Sequence, residues 1–259
     1  MNQPESPPRL THTVAGGVAT VVISNPARRN AMTTGMWKAL PLLLDALAGD
    51  RAVRALVLTG DGPTFCAGAD ISSLPGPHGP GESPQELAVR AEEALAAFPR
   101  PTLAAVRGHC VGGGCQLAAA CDLRFAEEGA SFGVTPARLG IVYPGSSTRR
   151  LVALAGPSTA KYLLFSAELI DTARALRTGL VDEVLPAGGL DERVAAFTSV
   201  LVGRSALTQT AAKEFAAGRP DRDAHWAALA VEQAAPGGDT AEGVAAFLER
   251  RSPRFTWCG

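Results

Sequence analysis

The chain has 259 residues, enough to bury a sizeable core in one large domain or a domain with an appendage. Its 24 basic and 25 acidic residues are mixed along the sequence and leave a net charge of −1, which excludes the electrostatic footprint of a nucleic-acid binder. No apolar run approaches the ~18 residues of a membrane span, and MNQPESPPRL lacks the basic-then-apolar pattern of a secretory signal, so a cytoplasmic protein with no membrane partner is expected.

Residues 1–9 are polar and proline-rich and read as a loose tail. Two β-branched runs, 11–14 and 18–23, flank Gly16 and Gly17 and predict a hairpin. Met36, Leu40, Leu43, Leu44 and Leu47 keep helical spacing over 33–47, with Pro41 expected to kink or loosen the helix. The run 53–60 is too short and too β-branched for a helix and reads as a buried strand. The segment 72–83, SSLPGPHGPGES, reads as a flexible loop. A helix over 84–98 and a strand over 102–106 follow, then three glycines opening a helix that runs to Ala120.

A further strand is expected at 123–126, helices at 147–154, 158–165 and 172–178, and a strand at 180–185. Helical patterns fill 190–251. Repeated strand, glycine loop and helix units predict an α/β fold with mainly parallel strands over about 10–200, and the composition shift near residue 200 marks a helical part over 201–259. The cysteines, Cys66, Cys110, Cys115, Cys121 and Cys258, are odd in number and lack zinc-ligand spacing. Free, mostly buried thiols in a reducing compartment are expected, and no metal.

Two glycine-containing stretches carry the chemical interest: TFCAGADI (64–71) and the triple-glycine turn within GHCVGGGCQLAAACD (108–122). Each closes a strand and bends the backbone where N–H donors are freed, and a helix N-terminus adds partial positive charge. Either could bind an anion or a developing oxyanion, or serve only as a turn; neither is a P-loop or a GxGxxG fingerprint.

Taken in this order, about forty residues apart, the two stretches resemble the crotonase (enoyl-CoA hydratase/isomerase) superfamily. The resemblance runs from NPARRNAM (25–32) through FCAGADI, the GGG helix with its Cys121–Asp122 end, and FGVTPARLG (132–140) to FLERRSPRF (247–255). It implies a crotonase-like spiral of β-β-α units and a C-terminal helical region that builds homotrimers or dimers of trimers. It also implies an acyl-CoA substrate with no permanently bound cofactor, coenzyme A entering as part of the substrate. In that family's pattern the N–H groups of Ala69 and Gly113 form the oxyanion hole for the thioester oxygen. The 25–32 segment and Ala67 fall where CoA's adenine end lies, with Arg28 or Arg29 as a phosphate partner. Arg250 of a neighbouring subunit falls where the ribose phosphate is reached. Asp70 is expected to tie down the turn beside the CoA site.

Hydratases of the family place one glutamate two residues after the triple glycine and another in Phe-Gly-x-Pro-Glu, a pair that positions water and shuttles its proton. This chain has Gln116 and Pro136 at those positions, and no carboxylate between Glu128 and Glu168. An amide can orient water but cannot accept its proton. The stretch TPARLGIVY (135–143) resembles methylmalonyl-CoA decarboxylase, with Tyr143 matching its active-site tyrosine and Thr135 a nearby threonine, although that enzyme has histidine where this chain has Ala69. Decarboxylation of a malonyl-type acyl-CoA is therefore placed slightly ahead of hydration or isomerisation by substitute acid/base groups, with non-catalytic acyl-CoA binding as the third reading. Among possible substitutes, His109 is expected to pack or cap, His78 to be exposed in the loop, and Asp122 to stabilise a helix-to-strand junction. Glu92 and Glu93 are expected on a solvated helix face.

Overall fold

The computed structural model describes residues 7–70 and 83–259. The predicted hairpin is present: β1 (Arg9–Ala15) pairs antiparallel with β2 (Val18–Ser24), so the ordered strand reaches back to Arg9. From β2 the sheet continues in parallel through β3 (Ala55–Gly60), β4 (Thr102–Val106), β6 (Leu123–Glu127) and β9 (Glu183–Leu185). The last strand is shorter than expected, because Leu180 and Val181 are buried in the turn that leads into it.

A second sheet, of order β5-β7-β8, is built from β5 (His109–Val111), β7 (Ser131–Gly133) and β8 (Ile170–Asp171). No strand was expected at these positions; two or three residues are too few to show a period. The chain thus passes from one sheet to the other and out into a helix, β4–β5–α3 and then β6–β7–α4, with α3 at Gly113–Ala120 and α4 at Gly145–Ser166. These are the β-β-α turns of the crotonase spiral.

Helix α1 (Thr34–Gly49) is capped by the Thr33 side chain, and Pro41 lies inside it without dividing it. Its buried face, Met36, Trp37, Leu40, Leu44 and Leu47, packs against α2 (Pro84–Ala96). Alpha4 bends at Gly156 (φ 75°, ψ 162°) ahead of Pro157, which accounts for the two helical patterns read there. Helices α5 (Thr172–Thr178) and α6 (Leu190–Val202) complete the body; Leu190 and Val194 of α6 cover Val57, Leu103, Ala105 and Phe125. Beyond it lie α7 (Ala206–Ala216), α8 (Asp223–Gln233) and α9 (Asp239–Glu249). Among the described residues, no helix is long and apolar enough to cross a membrane. All five cysteines are unpaired, and Cys66, Cys110, Cys115 and Cys121 are buried.

Candidate active site

The two glycine stretches meet. Cys66 bridges Cys110 of β5, its N–H donating to the His109 carbonyl at 2.9 Å, while Val111 N–H donates back to the Cys66 carbonyl at 3.0 Å. Gly112 then turns the chain at φ 56°, ψ −120°, a combination natural only to glycine, so that α3 can start on Gly113. A side chain at Gly114 would lie 2.2 Å from the Cys66 carbonyl oxygen, so the close approach of the two turns also demands glycine there.

The direction of the Ala69 amide follows from its neighbours. Met32 N–H donates to the Gly68 carbonyl at 2.8 Å, and Asp70 N–H donates to the Met32 carbonyl at 2.9 Å. Two peptide groups flanking Ala69 thus face Met32, and in an extended strand the N–H of Ala69 itself must face the other way. That side is occupied by Gly113: a Cβ placed on Gly113 would sit 3.6 Å from the Ala69 nitrogen and 2.8 Å from Trp37 Cζ2. The Ala69 N–H and the first N–H of α3 are therefore neighbours at the mouth of a helix N-terminus, without a backbone acceptor among the described residues. A carbonyl oxygen gaining negative charge is the ligand such a pair suits.

Gln116 stands one turn further along α3 and is buried. Its Nε2 donates to Glu92 Oε2 at 2.7 Å and to Ser147 Oγ at 3.1 Å. Ser147 Oγ in turn donates to the same glutamate oxygen, and Arg150 forms an ion pair with the other oxygen, Oε1. Helices α2, α3 and α4 thus converge on one carboxylate. This corrects the expected solvated face: Glu92 lies between the buried Leu87, Ala91 and Leu95 of α2, and is itself fully buried, whereas Glu93 is exposed. The Glu92–Glu93 pair hid this in the sequence. An acid at apolar-face spacing, three residues before Leu95, was the available signal; nothing local to Ser147 or Arg150 pointed at the site.

Tyr143 lies in the segment entering α4, its side chain packed against the core and its hydroxyl buried with no hydrogen-bond partner among the described residues. Burial pushes its pKa well above the ordinary phenol value, and the neighbouring Cys115 and Glu92 add to the effect while Arg150 opposes it. The phenol is accordingly neutral at physiological pH. Thr135 precedes a single 3-10 turn, Pro136–Arg138, and is half-buried; Pro136 opens that turn and supplies no acid.

The remaining candidates separate. NPARRNAM is a tight turn in which Asn30 Nδ2 donates to the carbonyls of Asp61 and Thr64 at 2.8 and 2.6 Å, and Ala67 N–H donates to the Arg29 carbonyl at 3.0 Å. Arg28, Arg29 and Ala67 therefore share one edge of the turn that carries Ala69, with both arginines exposed. Asp70 follows it, half-buried. Arg250 is exposed at the C-terminal cap of α9, with no hydrogen bond or ion pair to this turn among the described residues. His109 is built into β5, and Asp122 Oδ2 accepts from Thr102 N–H, Thr102 Oγ1 and Lys213 Nζ at 2.7–2.9 Å, a junction role. His78 and the rest of 71–82 lie outside the described residues.

Residues 13–257 match the family model for enoyl-CoA hydratase/isomerase. The 2,3-dehydroadipyl-CoA hydratase of Escherichia coli is 33% identical over 250 residues, covering 92% of this chain and 94% of that protein. The crotonyl-CoA hydratase of Syntrophomonas wolfei is 32% identical over 256 residues, covering 92% and 94%. A crystal structure of an enoyl-CoA hydratase/isomerase family member superposes with a TM-score of 0.90 at 38% identity, covering 99% of this chain and all of that one.

Proposed function

Since the chain belongs to the enoyl-CoA hydratase/isomerase family, we propose that it is an acyl-CoA enzyme in which the N–H groups of Ala69 and Gly113 hold the thioester oxygen and stabilise the enolate that forms there. Two aligned donors at ~2.7–3.1 Å from that oxygen contribute a few kcal/mol each to the transition state. Arg28 or Arg29 beside Ala67 pairs with a CoA phosphate, Asp70 ties down the turn beside it, and Arg250 serves the same ligand from a neighbouring copy in a trimer or hexamer.

Decarboxylation of a malonyl-type thioester is the reaction this arrangement supports best. The observation that carries it is the state of Glu92. This carboxylate adjoins the first hydratase position, yet its side chain is 1% exposed and both oxygens are occupied, by Arg150 on one side and by Gln116 and Ser147 on the other. It is placed to hold other groups rather than to take a proton from substrate water. Loss of CO₂ needs no such base. The bond from Cα to the carboxylate breaks, its electron pair passes into the thioester as an enolate on the two amides, and CO₂ departs. Tyr143, a neutral phenol with no hydrogen-bond partner among the described residues, orients the carboxylate and, with a water held by Gln116, returns one proton to Cα; the phenol is reprotonated from solvent. Thr135 borders the same segment.

Hydration or isomerisation is the second reading, supported by the 2.7 Å contact that links a carboxylate to the Gln116 position and by the hydratase activities for which the two relatives are named. Purified protein incubated with methylmalonyl-CoA, malonyl-CoA and crotonyl-CoA, followed by mass, distinguishes the two. Loss of the carboxyl group is expected, with Tyr143→Phe slowing it roughly a hundredfold or more. Water addition to crotonyl-CoA without loss of CO₂ would overturn the first reading in favour of the second.

A further inference from the structure

An amide side chain has one donor end and one acceptor end of nearly equal size, and its surroundings alone decide which way it points. Around Gln116 that decision is forced. The end within 2.7 Å of Glu92 Oε2 must be the NH₂, because two acceptors at that distance repel. The second contact agrees: Ser147 Oγ donates its own hydrogen to Glu92 and so presents a lone pair to the same NH₂. Arg150, across the glutamate, balances its charge and holds it in place. Both donor hydrogens of Gln116 are thus engaged inside the protein, and its Oε1 accepts no hydrogen bond from the described residues.

We infer that Glu92, held by Arg150 and Ser147, is a positioning residue that locks the Gln116 carboxamide with its oxygen towards the acyl group, so that among uncharged acyl groups the site selects thioesters bearing a β-hydroxyl donor over those bearing a β-keto acceptor, while a malonyl-type carboxylate sits on Tyr143 and reaches Gln116 only through the water it holds. The inference rests on the acyl group lying between the oxyanion amides and Gln116, as proposed above. A β-hydroxyl or a bound water satisfies Oε1; a β-keto oxygen meets it lone pair to lone pair. Breaking the lock lets the amide rotate by half a turn and offer its NH₂ instead.

Dissociation constants of 3-hydroxybutyryl-CoA, acetoacetyl-CoA and butyryl-CoA test this without turnover. The wild-type protein should bind the hydroxy ester about tenfold more tightly than the keto ester, the size of one hydrogen-bond mismatch. Glu92→Gln should bring that ratio to about one or invert it, with butyryl-CoA affinity within threefold of wild type. Ser147→Ala, which keeps the ion pair, should reduce the ratio partway and serves as the reading if Glu92→Gln fails to fold. A wild-type ratio near one, or a ratio unchanged in the variants, overturns the inference. Butyryl-CoA binding with the expected ratios, but no CO₂ release from any malonyl-type ester, would instead remove decarboxylation and leave the lock standing. A purely structural role for Glu92 would alter stability and leave the ratio where it was.

Discussion

The turns that carry Ala69 and Gly113, the proposed oxyanion hole, and the polar cluster behind them lie a single helical turn apart, yet they are made of different material. The first is backbone: two N–H groups, aimed by a glycine at positive φ, by the β-bridge of Ala69 to Met32 and by the start of α3. The second is side chain: Glu92, Gln116, Ser147 and Arg150, drawn from three helices onto one carboxylate. A backbone site cannot be deleted by truncating a side chain, only spoiled by adding one. A side-chain cluster can be rewired by a single substitution, so one architecture could keep a backbone site while the side chains beside it change.

The sharpest way to break the backbone half is Gly113→Ala. The new methyl would sit 2.8 Å from the ring of Trp37, which is 1% exposed and has no room to retreat, so the turn itself must shift. A displaced donor is expected to lower kcat/KM on any thioester that is turned over by roughly a hundredfold. Circular dichroism should remain unchanged if the damage is confined to the turn.

In the side-chain half, Gln116→Glu brings a second carboxylate against Glu92 inside a packed interior, where one of the two must take up a proton or both repel. Urea denaturation at pH 7 should show a loss of roughly 2–4 kcal/mol. Exchanging the pair, Glu92→Gln with Gln116→Glu, should recover most of it; strict additivity of the two single changes would show that these groups do not interact.

Tyr143→Phe gives a smaller stability effect with an informative sign. Its hydroxyl is buried without a hydrogen-bond partner among the described residues, so removing it should leave stability unchanged or raise it by up to about 1 kcal/mol, while activity falls. A clear destabilisation in the same denaturation assay would assign the hydroxyl a structural bond instead.

The thiols behind the turns give the most gradual effect. Burial pushes Cys66 and Cys121 up to about 12, from an ordinary value of 9.0. The folded chain therefore keeps protons that the unfolded chain releases first, so stability is intact below about pH 9 and declines as pH rises towards about 12. Cys121→Ala should flatten part of that alkaline decline in thermal melts, and an unchanged profile would show that other groups cause it.

Much of the frame was legible in the sequence because it rests on local rules. The alternation and β-branching of 18–23, the apolar face of α1, and the division of α4 at Gly156–Pro157 each depend on residues a few positions apart. The second sheet was not legible, since β5, β7 and β8 are too short to carry a period and exist only because each finds a neighbour.

The site divides in the same way. Sequence alone determined that glycines stand where the backbone must bend and approach closely; its resemblance to the family is what put Gln116 and Pro136 at the positions of the hydratase acids and matched Tyr143 to an active-site tyrosine. Only the tertiary structure decided which way the Gln116 amide faces, because its partners are 24 and 31 residues distant. Only tertiary packing turned Glu92 from one of two adjacent acids on a helix into a buried, fully bonded carboxylate. The physical reason is that backbone geometry depends on adjacent residues, whereas charge and hydrogen-bond polarity in an interior depend on whatever the fold brings within 3 Å.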